Sequence, residues 1–412
     1  MKPCFIEKSF RGAINLYISD KVKSISPSST LAIDSKFKQM KAEGVDVVGF
    51  GTGEPDFDTP DYIKKAAVEA IAGGKTKYTP AAGTMELRRA ICDKLKRENG
   101  LDYEPNQIVV TNGAKHALVN TFMAILNEGD EVIIPSPYWV SYPEMVKIAD
   151  GVSVIIETKE EDEFKFTAKE FEDAITPKTR ALVLNSPSNP TGMVYTEEEL
   201  RSIAEVAVKH NIYVVADEIY EHLIYEGKHV SIASFHDKIK DLTIIINGVS
   251  KTYAMTGWRI GYSASHPEVA KAISNLQSHA TSNPNSIAQA ATVAALNGGE
   301  EEIARMKAEF QKRRDYMVER INSIPGVSCR NPHGAFYVVM NISQLKGKRL
   351  GGRTIHTSDD FADVLLEKAG LALVPCSGFG ADDFVRWSYA TSMENIVEGL
   401  NRLETFLAQE LK

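Results

Sequence analysis

The sequence predicts an α/β protein: a large domain with a mostly parallel sheet flanked by helices, and a smaller α+β domain beside it. Three observations carry this. From about residue 105 to 265, short Val- and Ile-rich runs alternate with amphipathic stretches. Several of those runs are almost continuously apolar, as strands covered on both faces are. The last third then changes to long helical patterns with one strand between them, which breaks the alternation.

The strand runs, in order, are 107–111 (QIVVT), 131–135 (EVIIP), 152–157 (VSVIIE), 180–185 (RALVLN), 212–217 (IYVVAD) and 243–248 (TIIING). Helical patterns occupy 114–126 and 196–210. The second opens on Thr196-Glu197-Glu198-Glu199, a capping-box-like start in which hydroxyl and carboxylate satisfy each other's free N–H groups. Beyond residue 265 the pattern predicts long helices over 266–296 and 300–323, a strand over 334–341 (GAFYVVMN) and a closing helix over 393–409. The division expected is an arm of 1–21, a small domain made of 22–58 with 298–412, and a large domain of 59–297.

Composition sets bounds. A chain of 412 residues suggests two or three domains. Hydrophobic residues at 43% and charged residues at 25% give an ordinary folded balance and exclude wholesale disorder. The net charge of −8 weighs against nucleic acid as a partner. No apolar run approaches the roughly 20 residues that cross a bilayer, so no membrane is expected. Cys4, Cys92, Cys329 and Cys376 form no CxxC pair or metal-finger spacing and fit reduced thiols in a cytoplasmic protein. The nine His residues contain no HExxH, so no metal is expected. Residues 1–20 include Glu7 and Asp20 and lack an apolar core, so they read as an exposed arm rather than a secretory signal.

Ligands of open α/β sheets lie beyond the carboxyl ends of the strands, so the residues there matter most. The first run leads into Asn112-Gly113-Ala114-Lys115. A Gly between strand and helix makes either a plain tight turn or a phosphate cup at a helix N-terminus. Run 212–217 ends on Asp217, which either caps a following helix or meets a cation, a metal or a protonated ring nitrogen. Run 243–248 delivers Ser250-Lys251. A lysine there is either an ordinary surface lysine or, partly buried, one with a lowered pKa that is a nucleophile toward carbonyls. Arg259 follows among Gly257, Trp258, Gly261 and Tyr262, as a structural ion pair or an anion clamp. The loops 186–192 (SPSNPTG) and 136–139 (SPYW) carry Asn189 and Trp139 beside X–Pro bonds able to be cis. Trp139 is core or a plate for a planar ligand. Glu221 and His222 read as helix surface or outer support, and 346–353 (KGKRLGGR) as a mobile surface loop. Together these groups fit one ligand, pyridoxal phosphate: an amine for its aldehyde, an acid for its ring nitrogen, donors for its phenolic oxygen, N–H groups and a cation for its phosphate.

Seven ordered motifs then identify a likeness: GTGEPDFDTP (51–60), KYTPAAG (77–83), PSPYWVSYPEM (135–145), NSPSNPTG (185–192), DEIYEHL (217–223), SKTYAMTGWRIGY (250–262) and VRWSYATS (385–392). The chain resembles class I aminotransferases of fold type I, and most of all their bacterial aspartate and prephenate aminotransferase branch. The resemblance implies that Lys251 bonds the cofactor and moves the substrate's Cα proton, that Asp217 keeps the ring nitrogen protonated, and that Asn189 and Tyr220 bond the phenolic oxygen. It implies a stacking role for Trp139 and a phosphate cup of Gly113, Ala114, Ser250 and Arg259 with Lys115 beside it. It gives Tyr78 to the phosphate of a neighbouring subunit, hence a homodimer with shared sites. Arg386 and the backbone of Gly53 take the substrate α-carboxylate, a bidentate task that Lys does poorly. Trp139 and Asn189 border substrate as well as cofactor, and Lys115 takes its distal carboxylate.

The activity so implied is ping-pong transfer from L-aspartate to 2-oxoglutarate. Two departures bear on it. The stretch 278–284 (SHATSNP) lacks the Arg that some family members use for the distal carboxylate, and Ser26 stands where some relatives place a Lys. Ser26, Ser28 and Thr30 are candidate lining residues. The rivals are aromatic, alanine or prephenate specificity, or a C–S lyase on the same scaffold. A regulator with a helix-turn-helix finds no room before Val22. A nicotinamide enzyme is disfavoured because Glu54-Pro55 follows the glycines at 49–53.

Overall fold

The computed structural model describes residues 16–27, 29–51 and 53–411. The strands of the main sheet are β1 Ile108–Thr111, β2 Glu131–Ser136, β3 Val152–Glu157, β4 Thr179–Asn185, β5 Tyr213–Asp217, β6 Thr243–Gly248 and β7 Gly261–Ala264. They lie in the order β1-β7-β6-β5-β4-β2-β3. Every pair is parallel except those of β7, which is antiparallel to β6 and to β1. Adjacent residues on a strand face opposite sides: Ile133, Leu182 and Val214 pack with Leu200 and Ile203, whereas Ile134, Val183 and Val215 pack with Leu118 and Phe122. That two-sided cover is what the continuous apolar runs predict.

β3 departs from it. Only Ile156 of β3 is buried, and Val152 and Ile155 are 49% and 40% exposed, because β3 is an edge strand with a single neighbour. β7 is a strand that the alternation did not announce: it is four residues long and opens on a glycine. A Cβ on Gly261 would stand 2.3 Å from the Ala114 N, so a glycine is what allows β7 to run against the turn after β1.

The helices include α1 Met85–Asn99, α2 Ala114–Ile125, α3 Ser141–Ile148 and α4 Glu197–His210. Thr196 and Glu199 form the capping box of α4. The expected helix over 266–296 is two helices, α5 Pro267–Ala280 and α6 Ser286–Leu296. Pro284 lacks the N–H that a continuing helix needs and disfavours helix at the residue before it. Asn285 restarts the helix, accepting from the N–H groups of Ile287 and Ala288 at 3.0 and 2.9 Å. Helices α7 Glu300–Ser323 and α8 Met393–Glu410 follow.

A second, antiparallel sheet orders Val374–Pro375, Phe384–Ser388, Tyr337–Asn341 and Ser328–Cys329. The strand expected from residue 334 starts at Tyr337, and Gly334 makes only an isolated bridge to Ile224. Trp387, Phe336 and Tyr337 pack there with Phe310 of α7 and Leu400 of α8. Val48–Gly49 pairs in parallel with Leu371–Ala372, which brings the segment before Thr59 into this layer. Residues 346–353 are not a plain loop: Arg349–Leu350 and Arg353–Thr354 form a hairpin with Leu350 buried. Among the described residues, no helix is long and apolar enough to cross a membrane.

Candidate active site

The carboxyl ends of the parallel strands, with Arg386 from the second sheet, enclose a cavity of about 420 Å³. After β1, Gly113 sits at φ 85° as the N-cap of α2, and no side chain caps that helix. The Ala114 and Lys115 N–H groups are therefore open to a ligand, whereas the His116 N–H donates to Gly113 O at 3.1 Å. A Cβ on Gly113 would stand 2.3 Å from Arg259 Nη2, so the residue must be glycine twice over: for its dihedral and for the guanidinium beside it. Arg259 is held by a 2.7 Å bond from Nη1 to Thr256 O. Ala114, Ser250 and Arg259 all line the cavity.

β5 delivers Asp217, which is buried. The residues after it form a turn rather than a helix, so it caps no helix; Oδ1 accepts instead from Ile219 N at 3.3 Å. Oδ2 accepts from Tyr142 Oη at 2.7 Å. Burial pushes the Asp217 carboxyl up to about 6, against the pull of the Tyr142 and Ile219 bonds. Beyond β6, Lys251 donates from Nζ to Gly53 O. Burial is the main cause that brings its amine down to about 8, with Arg259 and Arg386 adding to it and Glu54 and Asp217 opposing.

Asn189 is tied to Asp217 through one side chain. Its N–H donates to Asn185 Oδ1 at 2.7 Å, and Asn185 Nδ2 donates to Asp217 O at 3.0 Å. The Ser136–Pro137, Ser186–Pro187 and Asn189–Pro190 bonds are cis. Arg386 is buried; Nη1 donates to Asn189 Oδ1 at 2.9 Å and Nη2 to Gly51 O at 3.0 Å. Its Nε is buried without a hydrogen-bond partner among the described residues. Tyr337 lies under this guanidinium, 4.4 Å to the ring centroid, and its Oη is 2.9 Å from Tyr220 Oη. Trp139 meets Tyr142 edge-on at 5.4 Å. Lys115 Nζ stands 4.8 Å from the Trp139 centroid and donates to Ser141 Oγ at 3.2 Å. Burial, then Arg259, lowers the Lys115 pKa.

An amine of lowered pKa, a buried acid, an uncapped helix end beside an arginine and a second buried arginine thus share one cavity. Residues 45–403 match the family model for aminotransferase class I and II.

The chain belongs to the class I and II aminotransferases.

Three relatives place this aminotransferase more closely. It is 49% identical to the aspartate aminotransferase of Bacillus sp. strain YM-2, over 95% of this chain and 99% of that protein. It is 47% identical to the aspartate/prephenate aminotransferase of Cereibacter sphaeroides, over 95% and 99%. The solved aspartate aminotransferase of Rhizobium meliloti superposes with a TM-score of 0.93 at 45% identity, covering 96% of this chain and 99% of that one. The fold is therefore the fold type I arrangement, and the enzyme is a transaminase that depends on pyridoxal phosphate.

The residues present fit that cofactor. The buried Asp217 carboxyl accepts hydrogen bonds from Tyr142 and Ile219, makes no ion pair among the described residues, and suits a protonated ring nitrogen. The uncapped α2 with Arg259 and Ser250 suits a phosphate. The orphaned Arg386 Nε suits a carboxylate. Of the residues expected from sequence, Gly53, Ala114, Lys115, Trp139, Asn189, Asp217, Tyr220, Ser250, Lys251, Arg259 and Arg386 line the cavity, and Gly113 lies against Arg259. Tyr78 does not line it and is 90% exposed. Ser26 borders a neighbouring cavity, whereas Ser28 and the Thr30 side chain lie outside the described residues.

Sequence reasoning missed Tyr142, Asn185 and Tyr337. Tyr142 had a local signal, since it stands three residues after Trp139 and so about one helical turn further on. Tyr337 had none, because a strand from the second sheet brings it in.

Proposed function

We propose that this aminotransferase moves the amino group of L-aspartate to 2-oxoglutarate in a ping-pong reaction, giving oxaloacetate and L-glutamate. The observation that carries the reading is one cavity with a cation on two sides: Arg386 beside Gly51 and Gly53, and Lys115 beside Trp139. A substrate with carboxylates at both ends suits such a pair. The names of the Bacillus and Rhizobium relatives support it.

When bound, pyridoxal phosphate supplies a carbonyl that bonds amines and a cationic ring that draws electrons from the substrate Cα. The rest falls to the chain. Lys251 would hold the cofactor, and its amine, which burial brings down to about 8 in the cofactor-free chain, would take and return the Cα proton near neutral pH. Asp217 would keep the proton on the ring nitrogen. Asn189 and Tyr220 would hold the phenolic oxygen, Trp139 would cover the ring, and Ala114, Ser250 and Arg259 would hold the phosphate.

Tyr78 has no role in the cavity of its own chain. Its exposure, with Val68, Ile71 and Met85 also exposed nearby in sequence, supports a homodimer in which it serves the partner's phosphate. The free thiols of Cys92, Cys329 and Cys376 accord with the reducing cytoplasm.

A second reading has its own observation. A second cavity of about 450 Å³ shares Lys115 with the first and is lined by Ile25, Val119, Val140 and Met145 together with Ser26 and Glu144. Its apolar residues suit a ring, and Lys115 suits a carboxylate, as in prephenate. Half-reaction rates with aspartate, glutamate, alanine, phenylalanine and arogenate decide between the two. Aspartate and glutamate are expected to lead, and a lead for the aromatic or ring-bearing donors would replace the first reading. Release of pyruvate and ammonia from a cysteine conjugate without an acceptor would make the enzyme a lyase.

A further inference from the structure

Behind the cavity lies a buried charged junction that the chemistry above does not use. Glu221 is expected from sequence either on a helix surface or as outer support; it is buried in the turn after Asp217, which excludes the first and leaves the second. Tyr220 lines the cavity and Glu221, the next residue, does not. The Glu221 carboxylate gathers three donors from two elements, α1 and β6. Lys94 of α1 donates to Oε1, as does Asn247 Nδ2 of β6 at 2.6 Å, and Asn99 Nδ2 donates to Oε2 at 2.9 Å. Lys94 is itself buried and also donates to Asn99 Oδ1 at 2.9 Å.

Asn247 is four residues before Lys251, and its Oδ1 accepts from Gly248 N at 2.7 Å. A second tie runs alongside: His222 Nδ1 lies 3.2 Å from Oγ1 of Thr252, the residue after Lys251, and His222 Nε2 lies 3.0 Å from Glu98 Oε2. The turn that presents Asp217 and Tyr220 is thus joined from behind, twice, to the segment that presents Lys251.

A buried ion pair is a poor source of net stability, since desolvation of both charges offsets their attraction. What it does supply is direction. Each hydrogen bond to Glu221 has a fixed donor, and an apolar filling would pack without orienting anything.

We propose that Glu221, with Lys94 and Asn247, is a positioning residue of this aminotransferase, holding the turn of Asp217 and Tyr220 in place relative to Lys251. The inference rests on the reading of Lys251 as the amine that bonds the cofactor. It needs no contact between Glu221 and substrate. Misplacing reacting groups by about 1 Å costs on the order of a hundredfold in rate, so the junction has leverage.

The test uses the cofactor-loaded enzyme and two variants. Glu221→Gln removes the charge opposite Lys94. Asn247→Leu keeps the Lys94–Glu221 pair and cuts the link toward Lys251. Two quantities are read: the pH midpoint of the bound cofactor's absorbance, and kcat and KM with aspartate. Each variant is expected to shift the midpoint by about half a unit or more and to lower kcat about ten- to a hundredfold, with KM changed less than about threefold. If Glu221→Gln does not fold, Asn247→Leu decides. Folded, cofactor-loaded Asn247→Leu enzyme with wild-type midpoint and kcat overturns the proposal, whatever its melting temperature. Failure of both variants to fold assigns the junction to stability and overturns it equally. Borohydride trapping of the cofactor in wild-type enzyme checks the underlying reading separately: label on a residue other than Lys251 sinks that reading, whereas label on Lys251 with unmoved midpoints sinks only this inference.

Discussion

Tyr142 donates from its phenol to Oδ2 of Asp217 across 2.7 Å. The bond joins α3 to the end of β5 and aims a buried carboxylate into the cavity. It also opposes the burial that pushes Asp217 up to about 6. An acid meant to keep a ring nitrogen protonated must stay ionised, and the phenol favours that state.

Tyr142→Phe is therefore expected to raise the Asp217 pKa further and weaken cofactor binding about tenfold. The lost bond to a buried acceptor is worth about 1–3 kcal/mol. Equilibrium dialysis of the cofactor measures the change. An unchanged dissociation constant would mean that the phenol does not govern the acid.

Stability of the cofactor-free protein should follow two pH windows. Asp217 titrates at about 6 when folded and near 3.8 ordinarily, so between those values the folded state binds more protons than the unfolded one. Stability from this group is present below that window and falls as pH rises through it, by about 3 kcal/mol. Lys251 is depressed from 10.5 to about 8, so its contribution rises with pH between those values. Denaturant melts against pH should lose the first slope in Asp217→Asn and the second in Lys251→Met. Parallel wild-type and variant profiles would contradict both assignments.

Lys115 is the proposed contact to the distal carboxylate. Lys115→Ala is expected to lower kcat/KM for aspartate about ten- to a hundredfold and for phenylalanine less than about threefold. Initial rates with both donors are the measurement, and an equal loss for the two removes Lys115 from that role.

Tyr78 tests the shared site. Tyr78→Phe is expected to weaken cofactor binding about tenfold or more, one hydrogen bond to a charged group being worth about 1.5–3 kcal/mol, while sedimentation shows a dimer. A monomer in the wild-type protein, at any concentration that supports activity, would rule the assignment out.

The six strands that alternation predicts are all present, because a strand covered on both faces must be apolar along its whole length and so shows itself locally. Most of the cavity was legible for the same kind of reason: Asp217, Lys251, Asn189 and Trp139 each follow directly on a readable strand. Other features depended on what the chain meets elsewhere. β3 has the composition of a covered strand and lies at an edge, since the sequence alone does not say how many neighbours a strand has. β7 exists because Gly261 can pass close to Ala114. Tyr337 and Arg386 reach the cavity from the second sheet, and Glu221 is buried because α1 and β6 converge on it with Lys94 and Asn247. The sequence by itself determined the strand ends and the chemistry that they carry, since both are local. The tertiary structure alone decided which distant side chains orient that chemistry, because such contacts come from packing between segments and leave no periodic trace in either.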